Sequence, residues 1–76
     1  MQGRAGYLNK LVAGNVKRLR TKQGLSQEGL AAKCNVHRNH IGFIERSEIS
    51  MTITTLEKVA KALGVSPDSL LRNTKD

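Results

Sequence analysis

The chain has 76 residues, with thirteen Lys and Arg against six Asp and Glu for a net charge of +7, so it forms one domain at most. A chain this short buries only about 60% of its unfolded surface, which leaves little room for a pocket of enzyme size. One cysteine, Cys34, cannot close an internal disulfide, one Cys with two His (His37, His40) is too little for a typical zinc site, and no apolar run approaches the roughly 18 residues of a membrane span.

The charge is unevenly placed. Residues 1–47 carry nine basic side chains against two acidic ones, and residues 48–76 carry four of each, so the whole excess lies in the first part. The N-terminus lacks the apolar stretch of a signal peptide. These features predict a small basic cytoplasmic module with no membrane, metal, cofactor or small-molecule ligand, and nucleic acid is the first partner to consider. The single domain is expected to span 1–76, with an N-terminal arm at 1–7, an ordered core from about 8 to 71 and a short polar tail at 72–76.

Five helical segments follow in chain order. From about Asn9 to Gln23, Leu8, Leu11/Val12, Val16 and Leu19 recur on one face, and Gly24 ends the segment. The second opens on Ser26, a good N-cap, with Glu28 in its first turn and Leu30, Ala31 and Cys34 on one face. Asn35 tolerates the left-handed turn that follows, and Val36 is read as a plug on which two helices pack. The third segment is His37 to Arg46, with Ile41 and Ile44 inward and Asn39, Phe43 and Arg46 as the opposite stripe. The fourth runs from near Thr52 to Leu63, with Ile53, Leu56, Val59/Ala60 and Leu63 inward and Gly64 as its stop. Ser66-Pro67-Asp68 then starts a short fifth helix through about Leu71. No segment alternates as a strand, so the predicted fold is all-α around one core.

Two short helices joined by a tight turn make a helix-turn-helix. Here Leu25-Ser26-Gln27-Glu28, Leu30-Ala31, Val36, Ile41 and Ile44-Glu45-Arg46, followed by Leu56, Ala60, Leu63-Gly64-Val65-Ser66 and Leu70-Leu71, resemble the five-helix DNA-binding domains of the phage repressor/Cro family. The likeness covers Val16 to Leu71, with the helix-turn-helix in helices two and three. Within that family, Val36-His37-Arg38, Ile41-Gly42 and Glu45-Arg46 followed by Thr52-Ile53 and Leu56-Glu57-Lys58 are similar to the small controller proteins of restriction–modification systems, which are stand-alone dimeric regulators. Four positions depart from the family pattern: Gly29, Asn35, Phe43 and Ser47.

The major groove admits an α-helix and presents a distinct donor and acceptor code. The second helix of the motif reads it near its N-terminus, which makes His37, Arg38, Asn39, Gly42, Phe43 and Arg46 the candidate base readers. Arg38 suits guanine O6 and N7, and Asn39 suits adenine N6 and N7. The Phe43 ring suits a thymine methyl, or packs on a neighbouring helix or a partner subunit. Gly42 is read as room for close approach. Candidate phosphate contacts are Gln27, at a helix N-terminus that favours an anion and in a DNA-contacting position by the resemblance, together with Lys17, Arg18, His40, Ser47, Ser50 and Thr52.

The resemblance further implies that Arg20 pairs with Glu45 in the interior, fixing how helix three is presented. One recognition helix covers about four base pairs, so a homodimer on a pseudo-palindromic operator of double-stranded DNA is expected. Val65, Leu70 and Leu71 either form its interface or close the monomer core. The expected function is a sequence-specific transcriptional regulator and not an enzyme. The alternative is an antitoxin-type module whose main partner is a protein, with Phe43 and the leucines as its docking patch.

Overall fold

A computed structural model of the chain describes residues 2–73, with side chains described for residues 6–73. Met1 of the expected arm and residues 74–76 of the expected tail lie outside the described residues. The elements are α1 (Gln2–Lys22), α2 (Gln27–Cys34), α3 (His40–Glu45), α4 (Ile53–Leu63) and a 3-10 helix (Pro67–Leu71). The architecture is all-α, with four α-helices and a 3-10 turn in place of the five helices expected.

Three elements differ from expectation: the start of α1, the type of the last element, and α3, which is shorter than expected and is described below. The first helix begins at Gln2 rather than near Asn9, so residues 2–7 of the expected arm are helical. No proline interrupts that stretch, and an existing helix extends by one hydrogen bond per residue added. The last element is too short and too tethered to become an α-helix. Pro67 sets its first turn, Ser69 N–H donates to Ser66 O at 3.0 Å, and Arg72 leaves the helix with ψ 145°. The buried Asn15 amide of α1 donates to Leu70 O at 2.8 Å and Arg72 O at 2.9 Å. Those carbonyls are therefore tied to α1 instead of to a further helical turn.

All four α-helices end the same way. Gly24, Asn35, Ser47 and Gly64 have φ of 74°, 59°, 59° and 74°. The N–H of each, and of the residue after it, turns back onto the last helical turn, which satisfies carbonyls otherwise left open. In three cases the following residue is apolar, and Leu25, Val36 and Val65 pack on the core. After α3 it is Glu48. At the helix starts, Ser26 Oγ accepts from Gly29 N–H at 2.9 Å and Thr52 Oγ1 accepts from Thr55 N–H at 3.1 Å.

The core joins Val12 and Val16 of α1, Leu30 and Ala31 of α2, Ile41 and Ile44 of α3, Val59 and Leu63 of α4, and Leu70. Cys34 is buried at its edge, and burial pushes its thiol pKa up, which suits an inert packing role. Two residues expected on inner faces lie outside the core: Leu8 is 50% exposed and Ile53 is 74% exposed. Each stands near the rim of its helix, where periodicity continues beyond the reach of the neighbouring elements.

Candidate nucleic-acid interface

The approach to α3 is a turn rather than helix. The expected segment His37–Arg46 is α-helical only over His40–Glu45. His40 N–H donates to His37 O at 2.9 Å, and Asn39 N–H donates to His37 Nδ1 at 3.1 Å. The His37 backbone and ring thus take the N–H groups that would otherwise open at the helix start. Because Nδ1 accepts, the proton of the neutral ring sits on Nε2, which remains a donor. His37, Arg38 and Asn39 are exposed, and the Arg38 and Asn39 side chains make no hydrogen bond among the described residues. Three polar side chains with free donors therefore project from one short turn.

The position of that turn is fixed from below. Arg20 Nε donates to Glu45 Oε2 at 2.7 Å and Nη2 to Oε1 at 3.0 Å, with the two side chains only 13% and 3% exposed. Arg20 Nη1 also donates to Leu25 O at 2.8 Å. The hydrogen bonds to Glu45 raise the Arg20 pKa above its ordinary value, against opposing desolvation. One guanidinium thereby links α1, the turn before α2, and α3. A two-pronged contact of this kind fixes angle as well as distance.

Gln27 completes this network from the start of α2, with one of its amide N–H groups engaged. Its Nε2 donates to Glu45 Oε1 at 3.0 Å. Gly42 lies against it. The glycine is buried, and a Cβ there would stand 3.2 Å from Gln27 Oε1 and 3.1 Å from Arg46 Nη1. Its missing side chain makes room for the Gln27 amide and for Arg46.

Along the outer face of α3, Phe43 is exposed and the Arg46 guanidinium lies 5.4 Å from its ring centroid, within cation–π range. Arg46 also forms a fork with Glu48, Nε to Oε2 at 3.1 Å and Nη2 to Oε1 at 3.2 Å. Arg46 therefore reaches this face already paired, a constraint on its reading as a free base reader. Nothing in the helical periodicity signalled this pair. It arises because Ser47 is left-handed, which swings Glu48 back beside Arg46.

The remaining expected contacts are scattered. Ser47 is half-buried, and the exposed Ser50 hydroxyl accepts from Asn9 Nδ2 at 3.4 Å. The Thr52 hydroxyl is occupied in capping α4. His40 is half-buried at the start of α3. Lys17 is exposed next to the Arg20 edge of α1, whereas Arg18 lies roughly 160° around the helix from Arg20, at 100° per residue.

The C-terminal residues separate into two groups. Leu70 is fully buried and Val65 packs against the core, so Leu70 has no surface left for a second copy. Leu71 is 44% exposed. With Leu8, Ile49, Met51, Ile53 and Leu56 it lines an apolar groove between the start of α1 and the start of α4. Leu8 and Ile53 escaped the sequence reading because their helical spacing matched an inner face.

Comparison with known proteins agrees with this arrangement. A helix-turn-helix family model matches residues 16–70. Control protein C.BamHI of Bacillus amyloliquefaciens is 42% identical over 62 residues, covering 80% of this chain and 76% of the relative. The crystal structure of the hypothetical transcription factor NHTF from Neisseria superposes with a TM-score of 0.84 at 35% identity, over 86% of this chain and 75% of that one. The restriction–modification controller protein C.AhdI from Aeromonas hydrophila gives a TM-score of 0.79 at 32% identity, over 82% and 94%. No helix among the described residues is long and apolar enough to cross a membrane. The exposed polar turn leading into α3, and the matched span that contains it, place the chain in the helix-turn-helix family of DNA-binding transcriptional regulators, which are not enzymes, as a relative of the restriction–modification controller proteins.

Proposed function

We propose that the protein regulates transcription by binding a pseudo-palindromic operator as a homodimer, with the turn and face of α3 in the major groove, and that it serves as a restriction–modification controller. The observation that carries this reading is the group of exposed polar side chains at His37, Arg38 and Asn39, held at a fixed angle by the part-buried Arg20–Glu45–Gln27 network. Arg38 and Asn39 are the base readers, suited to guanine and adenine edges, and His37 supplies a further donor through Nε2. Lys17 and the serines after α3 provide backbone contacts, which position without reading sequence. The 42% identity to a control protein supports the controller role.

The proposed dimer contact is the groove with Leu8, Ile53 and Leu71 on its rim. A second copy seated there would cover three of the large apolar side chains that the folded chain leaves in water, Leu8, Ile53 and Leu71, and two-fold pairing would set two reading helices about 34 Å apart. Ile53→Asp puts a charge at the most exposed of these positions without touching α3. The expected result is a monomer by sedimentation at concentrations where the wild type is a dimer, with one chain rather than two retained per operator duplex. A dimeric Ile53→Asp variant would place the interface elsewhere.

A further inference from the structure

The fork between Arg46 and Glu48 stands on the exposed face of α3, beside the reading turn, and the DNA-binding fold gives it no obvious task. An acidic side chain is unfavourable on a surface that approaches phosphate. Three of the four α-helices end with a left-handed residue followed by an apolar one that packs on the core: Leu25, Val36 and Val65. After α3 that place holds Glu48, which packs on nothing in the core. Its backbone N–H makes the same closing bond, to Phe43 O at 2.9 Å, so the turn does not depend on the carboxylate. The side chain instead grips Arg46 through two hydrogen bonds, at 3.1 and 3.2 Å, while Phe43 lies against the guanidinium.

We propose that Glu48 is a specificity-determining positioning residue: it holds Arg46 neutralised on the DNA-facing surface and so suppresses binding to random duplex. The proposal rests on the reading that this face meets DNA. Sequence-independent affinity grows with the number of phosphates that Lys and Arg neutralise, through release of condensed counterions. An Arg46 held by its own carboxylate releases none. The base readers Arg38 and Asn39 make no hydrogen bond to this pair among the described residues, so their sequence preference is expected to be untouched. Weakening the sequence-blind part alone raises the ratio of operator binding to random binding. The Glu48 hydrogen bonds also raise the Arg46 pKa above its ordinary value.

The test is binding of the full chain to random-sequence duplex over a range of salt concentrations, with wild type, Glu48→Gln, Arg46→Gln and the double variant. Glu48→Gln should steepen the fall of log K with log salt by about 0.9 per bound chain, which amounts to roughly eightfold tighter binding at 0.1 M salt relative to 1 M. The double variant should return to the wild-type slope, because the freed charge belongs to Arg46. An unchanged slope in Glu48→Gln overturns the proposal. So does a gain that persists in the double variant, which would reduce Glu48 to simple repulsion. If the wild type itself shows no salt-dependent duplex binding, the DNA reading of this face fails and the proposal falls with it. If the wild type binds and only the variant effects are missing, the reading stands and the proposal alone fails.

Discussion

Replacing Glu45 with alanine is expected to lower the unfolding free energy by about 3–5 kcal/mol, read from urea denaturation. The carboxylate is 3% exposed and accepts from Arg20 Nε, Arg20 Nη2 and Gln27 Nε2. Without it, a largely buried guanidinium loses both arms of its fork and an amide loses its partner. Stability of about 0.05–0.15 kcal/mol per residue gives a 76-residue chain roughly 4–11 kcal/mol in total, so the loss is a large share of the whole and should show as a clear fall in the urea midpoint. Replacing the pair together, Arg20→Met with Glu45→Leu, should recover much of the loss, because two apolar side chains leave no buried charge unmatched. DNA binding should not recover with it, since the fork that sets the angle of α3 is gone. A loss below about 1 kcal/mol in Glu45→Ala would be the value of a solvated surface pair and would contradict the burial described.

Replacing Arg38 with alanine is expected to remove about 1–3 kcal/mol of operator binding, roughly 5- to 150-fold, with the loss concentrated at one base pair of each half-site. The side chain is exposed and forms no hydrogen bond among the described residues, so folding stability should hardly change. The measurement is competition among operator variants changed one base pair at a time. Relaxed preference at one position identifies a base contact. Equal weakening on every sequence would identify a phosphate contact instead, and the base-reading role would pass to Asn39 and His37.

Much of the fold was legible because it depends on local rules. Ser26 is an N-cap by chemistry, the fourth helix opens at Thr52 as its pattern indicates, and Gly24, Asn35 and Gly64 end helices because each tolerates φ near +60° to +75°. The inward pair Ile41 and Ile44 follows from spacing, and both are buried. What the sequence concealed depends on neighbours far along the chain. Leu8 and Ile53 have the period of buried residues, but period marks a face and not how far the opposing helices extend along it. Leu70 and Leu71 are adjacent and alike, and only the packing against α1 and α4 decides that one is core and the other surface.

The candidate site divides in the same way. That Arg38 and Asn39 stand exposed at the entry to α3 was legible from the motif. The inward turn of Gln27 and the use of the space at Gly42 were not, because both depend on how α2 crosses α3. The Arg46–Glu48 fork was hidden for another reason. Residues two apart do not face each other on a helix, and only the left-handed Ser47 brings them together. The charge ledger changes accordingly. Arg20 and Arg46 both lie in the basic part of the chain, and both are matched by carboxylates. The attraction for DNA therefore rests on fewer cations than the composition implies.

In the proposed function the turn into α3 reads base edges, and two copies do so about a two-fold axis. Both features are checked at once by selecting bound sequences from a pool of random duplexes. The expected result is enrichment of an inverted repeat, with half-sites of about four base pairs centred roughly one helical turn apart, and with the enriched half-site disturbed at one position when the selection is repeated with Arg38→Ala. Enrichment of no sequence, or of a single half-site without a symmetric mate, would contradict it.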